Sequence, residues 1–250
     1  MNICVFDTET AGSFNKPFCY NIGYVIADTE TKEILVRKDF VVEQVWHNLP
    51  LFTSAYYADK REGYVKAMKG RKTVLKKFGY ITREMARDFE IYDVKNAYAF
   101  NSAFDENVFN FNCDWYKCIN PFDTIQVFDI RAFAIQFLVN DKYKDFCDKF
   151  SLYTDSGNYS TTAETMFKFI TNDETFVENH TALSDSEIEF EILMTCSQDT
   201  EILTTIYSVP KSIERISTNT LTIKKNKEII FEADYHSLTF YKSKNTIVLK

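Results

Sequence analysis

The chain has 250 residues, 45% of them apolar, and a formal net charge of −7. That is enough apolar material for a substantial core, and no run of 18 apolar residues is present to span a membrane. No basic segment precedes the first apolar run, which argues against a secretory leader, so a cytoplasmic protein without a membrane partner is expected.

The first element is "ICVF" (Ile3–Phe6), a short buried strand that runs directly into two carboxylates, Asp7 and Glu9. "YNIGYVIAD" and "EILVRKDFVV" are β-type runs separated by "TETK", an antiparallel hairpin pattern. From about Pro50 to Val94 the pattern turns helical, with Met85, Phe89 and Tyr92 spaced for one face. "NAYAF" reads as a strand, "DENVFNFN" as the start of a helix and "PFDTIQVFDI" as another strand, with helices from roughly Arg131 to Phe150. Two capping boxes follow. Thr161-x-x-Glu164 opens a helix through about Ile170, and Ser184-x-x-Glu187 opens a long amphipathic helix carrying Ile188, Ile192, Cys196, Leu203 and Tyr207. Pro210 closes it, and the tail from Thr220 to Lys250 alternates like hairpin strands.

This order predicts an α/β fold, a mixed sheet flanked by helices. Pro210 is the expected boundary between a main domain (1–210) and a β-rich extension (211–250). The extension could pack on the core or pair with a second copy as a homodimer. The six cysteines show no C-x-x-C spacing and are expected to be reduced, half-buried hydrophobes. A zinc site on Cys113 and Cys118 has no nearby histidine to complete it.

Charge is unevenly distributed. Lys60 to Arg87 holds ten basic residues and two acids, a net of +8, which leaves −15 on the rest of the chain. One face could therefore meet a polyanion, with Lys69, Arg71 and Lys72 at its centre, although a solvated helix surface would look the same.

The acids carry the chemistry. Asp7 and Glu9 end the first strand, Asp105 follows the strand "NAYAF", and Asp185 sits in the first turn of a helix. Each alone has a structural explanation, since turns and helix N-termini favour acids. Together, four acids from three elements suit hard divalent cations such as Mg²⁺ or Mn²⁺. Two such ions can activate water and stabilise a leaving oxygen in phosphodiester cleavage. His180, five residues before Asp185, could accept the water's proton near neutrality.

These residues resemble the motifs of the DEDD exonucleases. "FDTET" is similar to their first motif, "NSAFD" (Asn101–Asp105) to their second, and "HTALSD" (His180–Asp185) to their third in its histidine form. The three occur in the family's order over residues 1–208, and "DTIQVFDIRA" is similar to the strand and helix after the second motif in DnaQ-like enzymes. The resemblance implies a ribonuclease H-like fold, two metal ions on Asp7, Glu9, Asp105 and Asp185, and His180 as general base. It also implies contacts to the 3′-terminal nucleotide from Thr8, Thr10 and Ala11, and from Asn101. Phe14 is a wedge against the last base or a core residue. The Val45–Lys95 segment is longer and more basic than in minimal members, and the extension is absent from them. "GSFNKPFCYNIGYVI" and "SGNYSTTAE" look most like the phage-encoded branch, which would place the protein in a host cytoplasm. The expected activity is 3′→5′ hydrolysis of single-stranded DNA. The alternatives are an exoribonuclease with the same site and a catalytically silent nucleic-acid-binding module.

Overall fold

The structure, a computed structural model, describes residues 1–208 and 210–215 in full and, beyond them, the backbone of four strands. The first long strand, β1 (Asn2–Ser13), pairs antiparallel with β2 (Lys16–Asp28), which pairs antiparallel with β3 (Ile34–Val42). β4 (Val74–Lys76) runs parallel to β3 at one edge. β5 (Asn96–Ala99) runs parallel to β1, and β6 (Gln126–Asp129) runs parallel to β5 at the other edge. The sheet order is therefore β4-β3-β2-β1-β5-β6.

Ile3, Cys4, Val5 and Phe6 are all fully buried, as befits a central strand covered on both faces. Cys4 and Phe6 of β1 meet the side of α4 (Phe78–Ile91) and α5 (Ser102–Tyr116), where Phe6 packs edge-on against Phe109 at 5.8 Å and stacks on Phe122 at 4.3 Å. On the other face lie α6 (Ile130–Leu138), α8 (Ala163–Thr171) and α9 (Ala182–Cys196). Each large apolar side chain buried here contributes about 1.5–3 kcal/mol.

Several boundaries differ from the sequence reading. β1 does not stop at Phe6; it continues through the polar "TETAGS" and turns at Phe14–Asn15 into β2. At the turn Gly12 has φ +95°, and a Cβ there would lie 2.6 Å from the Lys16 carbonyl oxygen, so only glycine closes this hairpin. After α1 (Glu43–Trp46), the expected helical stretch from Pro50 to Val94 is three short helical pieces, α2 (Leu49–Phe52), a 3₁₀ turn (Ala58–Lys60) and α3 (Arg61–Lys69), then β4 and α4. β4 is three residues long and shows no alternation that a sequence pattern could register. α8 is capped by Thr162, whose hydroxyl accepts from the Thr165 N–H at 3.2 Å, one residue after the expected cap. α9 starts at Ala182 rather than after Ser184. It ends at Cys196, and a separate short helix, α10 (Thr200–Leu203), is capped by Asp199. Between α6 and α8 lies α7 (Asp141–Phe150).

The chain forms two compact units, Met1–Leu152 with Ser160–Lys211, and Tyr153–Tyr159 with Ser212–Lys250. In the second, β7 (Leu221–Lys225) pairs antiparallel with β8 (Glu228–Ala233), and β9 (Phe240–Ser243) with β10 (Thr246–Leu249). The Tyr159 N–H also donates to the Ile213 carbonyl at 3.0 Å.

Candidate active site

Strand alternation separates the residues of β1 into two groups. Asp7 and Glu9 lie on the face covered by α9, where both come within 4.8 Å of Asp185 through their carboxylate oxygens. Thr8 lies on the α5 face. Its N–H and hydroxyl both donate to Asp105 Oδ1, at 3.1 and 2.6 Å. Three of the four acids thus converge, while Asp105, 2% exposed, is held beside them by Thr8 rather than within the 4.8 Å group.

The close approach of α9 to the sheet depends on β2. Gly23 is the register partner of Asp7, and a Cβ on it would meet the Leu183 nitrogen at 2.0 Å. The first turn of α9 rests directly on this glycine, and the Ser186 hydroxyl donates to the Gly23 carbonyl at 3.1 Å. Two residues earlier, buried Asn21 supplies the helix with its cap. Asn21 Oδ1 accepts the Ala182 N–H at 2.9 Å and the Tyr64 hydroxyl at 2.9 Å, while Nδ2 donates to Asp39 at 2.6 Å and to the Phe40 carbonyl at 2.9 Å.

Crowding and burial push every carboxyl in the group upward. Burial dominates for Asp7 (to about 7, with Glu178 adding), for Asp185 (to about 8, with Asp7 and Glu178 adding) and for Glu9 (to about 9, with Asp7 and Asp185 adding). Asp185 Oδ1 is buried without a hydrogen-bond partner. Lys60 is the cation that offsets Glu9 and Asp185.

His180 precedes α9 at φ +46°. Its Nδ1 lies 3.6 Å from Glu178 Oε2, and desolvation with the nearby Lys60 ammonium holds the imidazole below its usual range. The pattern-based reading missed Glu178 because it sits in a loop without periodicity. Glu189 was legible, being one turn beyond Asp185 on the same helix face. It is 4% exposed and accepts the Phe100 N–H at 3.1 Å. Gly23, an isolated glycine within a strand, also carried a signal of close backbone approach.

The expected substrate contacts are gathered only in part: Phe14 and Asn101 line one groove of about 550 Å³ with Pro17 and Phe104. Thr8 is buried and engaged by Asp105, and Ala11 is part of the hydrophobic core. Thr10 is half-buried on β1, and Asn101 is exposed at the N-cap of α5 with φ +62°. Phe14 is 81% exposed at the β1–β2 turn, which places it outside the core. Lys72 and Lys60 line a groove of about 700 Å³ between α3 and the Glu178–Ser184 segment; Lys69 and Arg71 are exposed outside it. The six cysteines are unpaired, and the Cys113 thiol donates to the Ile119 carbonyl at 3.3 Å.

No protein-family model matches the sequence, and no curated protein matches it. Solved structures do match. A 3′-exonuclease in 3′-end-specific recognition of the histone mRNA stem-loop aligns with a TM-score of 0.54 at 14% identity, covering 78% of this chain and 80% of that one. The nuclease domain of 3′hExo, a DEDDh family member bound to rAMP, aligns with a TM-score of 0.51 at 14% identity, covering 78% and 90%. E. coli exonuclease I in complex with a 5cy-dT13 oligonucleotide aligns with a TM-score of 0.50 at 14% identity, and this chain spans 41% of that protein's length. The fold is ribonuclease H-like. In it, the Asp7–Glu9–Asp185 group fits a hard divalent cation, because three carboxylates converge and one of them, Asp185, keeps a buried oxygen with no hydrogen-bond partner. Among the described residues, no helix is long and apolar enough to cross a membrane.

Proposed function

We propose that this chain is a divalent-cation-dependent 3′→5′ exonuclease that releases nucleoside monophosphates from single-stranded DNA. The observation that carries the reading is the convergence of Asp7, Glu9 and Asp185 within 4.8 Å beside His180, on an exonuclease fold. Asp7, Glu9, Asp105 and Asp185 would hold two ions, Mg²⁺ or Mn²⁺, which would supply the positive charge for water activation and leaving-oxygen stabilisation. Asp7, Glu9 and Asp185 bind and orient. Thr8 keeps Asp105 aligned through two donors to one oxygen. His180, neutral at pH 7, takes the proton of the attacking water on the ring nitrogen turned away from Glu178. Thr10, Phe14 and Asn101 bound the terminal nucleotide, and Lys69, Arg71 and Lys72 attract the backbone electrostatically.

RNA is the second reading, favoured by the likeness to a 3′-exonuclease of histone mRNA and to a domain bound to rAMP. The catalytic unit is assigned to residues 1–210, and an accessory role in packing or homodimer formation to 211–250. Six free thiols suit a reducing cytoplasm, that of a host cell for a phage-borne gene.

The test is digestion of 5′- and 3′-labelled single strands, DNA beside RNA of matched sequence, with Mg²⁺, Mn²⁺ or EDTA. Immediate release of the 3′ label, a shortening 5′-labelled ladder and silence in EDTA or in Asp7→Ala are expected. Absence of hydrolysis on both polymers would move the function to binding alone.

A further inference from the structure

The long segment between the first two motifs reaches the histidine. Tyr57 precedes a 3₁₀ turn at Ala58–Lys60. Its ring lies parallel to the imidazole of His180, with centroids 4.4 Å apart and 11° between the planes. The Lys60 ammonium sits 4.5 Å from the same ring's centroid and donates to the carbonyl of Asn179, the residue before His180. His180 itself adopts φ +46°, a left-handed backbone that is strained for a non-glycine residue and persists only where the surroundings over-determine it. The carbonyl held by Lys60 belongs to the peptide that leads into this strained residue. The stacked ring fixes the plane of the side chain, and Glu178 stands 3.6 Å from Nδ1.

We propose that Tyr57 and Lys60 are positioning residues for His180, clamping its ring and its backbone so that the free imidazole nitrogen faces the water to be deprotonated. This rests on the reading of His180 as the base. A flat ring stacked on an imidazole favours the orientations that keep the two planes parallel over the others open to the side chain. Orientation of a base is worth far more in rate than in stability, because small misplacements of a reacting group cost about 10²-fold. The clamp also gives the inserted segment a use other than electrostatic attraction.

The experiment has two readouts on the full chain. The protein has three histidines, so the ring protons of His180 are assigned by comparison with His180→Ala. A stacked tyrosine should shift them upfield, in wild type and in Tyr57→Phe, and the shift should vanish in Tyr57→Ala. On labelled single strands, Tyr57→Ala should lower kcat about 10- to 100-fold with KM within about threefold, and Tyr57→Phe should restore at least half. Lys60→Met should lower kcat in the same sense, and Tyr57→Ala should not lower the rate further in a His180→Ala background. An unshifted imidazole in wild type, or a Tyr57→Ala protein that loses the shift yet keeps its kcat, would overturn the proposal. A wild-type chain with the shift but no hydrolysis of either polymer would overturn the nuclease reading, and the catalytic role of Tyr57 with it, while leaving the contact standing.

Discussion

Gly23 and Leu183 are in backbone contact so close that the strand residue cannot carry a side chain: a Cβ on Gly23 would stand 2.0 Å from the Leu183 nitrogen. Asp7 is the register partner of that glycine, and Asp185 sits on the helical turn that rests on it. The distance between the two acids is therefore set by a missing methyl group. Gly23→Ala should push α9 off the sheet, lowering stability by about 1–3 kcal/mol and abolishing hydrolysis. Thermal melting and a digestion assay check this, and an active, equally stable variant would refute the dependence.

Without metal, the protein should be more stable at lower pH. Asp7, Glu9 and Asp185 have folded-state values of about 7, 9 and 8, against ordinary values of 3.8, 4.5 and 3.8. Between those limits the folded state binds more protons than the unfolded one, so stability falls as pH rises through about 5 to 9. Melting in EDTA should show a Tm at least about 4 °C higher at pH 6 than at pH 9. Mg²⁺ or Mn²⁺ should reduce or reverse the slope, since the ions bind the deprotonated acids.

Asp185→Asn should separate stability from activity. The substitution removes a buried, unpartnered carboxylate oxygen from the group and replaces it with a neutral amide. In EDTA at pH 8 the Tm should hold or rise, the added stability from Mg²⁺ should shrink, and hydrolysis should fall at least about 100-fold. Titration of Mg²⁺ against melting temperature reads all but the last.

Thr8→Val tests how Asp105 is held. The valine keeps the backbone N–H donor and loses the 2.6 Å hydroxyl bond to a buried carboxylate. A loss of about 1–3 kcal/mol is expected by denaturant unfolding, with a fall in kcat because Asp105 is freed to rotate.

Phe14→Ala should leave stability within about 0.5 kcal/mol, because the ring is 81% exposed at the β1–β2 turn. A rise in KM for single strands of about three- to tenfold, with kcat little changed, is expected if the ring meets the terminal base. An unchanged KM would remove Phe14 from the substrate path.

The strand that carries Asp7 and Glu9 was legible because four apolar residues run straight into two acids, a pattern with few other uses. The same holds for Asp185, which sits in the first turn of a helix whichever residue begins it. What escaped was every feature made by residues far apart in sequence. The cap of α9 is the Asn21 side chain, 161 residues away, so no local motif could mark Ala182 as the start, and Ser184 with Glu187 offered a false one. The second half of β1 is polar because it forms a hairpin with β2, and its pairing, not its composition, makes it a strand. Tyr57 sits in a stretch whose pattern reads as helix and marks no site, and only the fold brings it to His180.

The second compact unit is woven from two places in the chain, since Tyr153–Tyr159 belongs with Ser212–Lys250 and Tyr159 is hydrogen-bonded to Ile213. A stop codon after Pro210 would therefore not excise a module. It would strand an internal loop, stripping Tyr159 of its bridge to Ile213 and leaving seven residues in the middle of the chain without the rest of their unit. A shortened protein that aggregates would report on that orphaned loop as much as on the missing tail. A graft of the tail onto another chain would have to bring the loop with it.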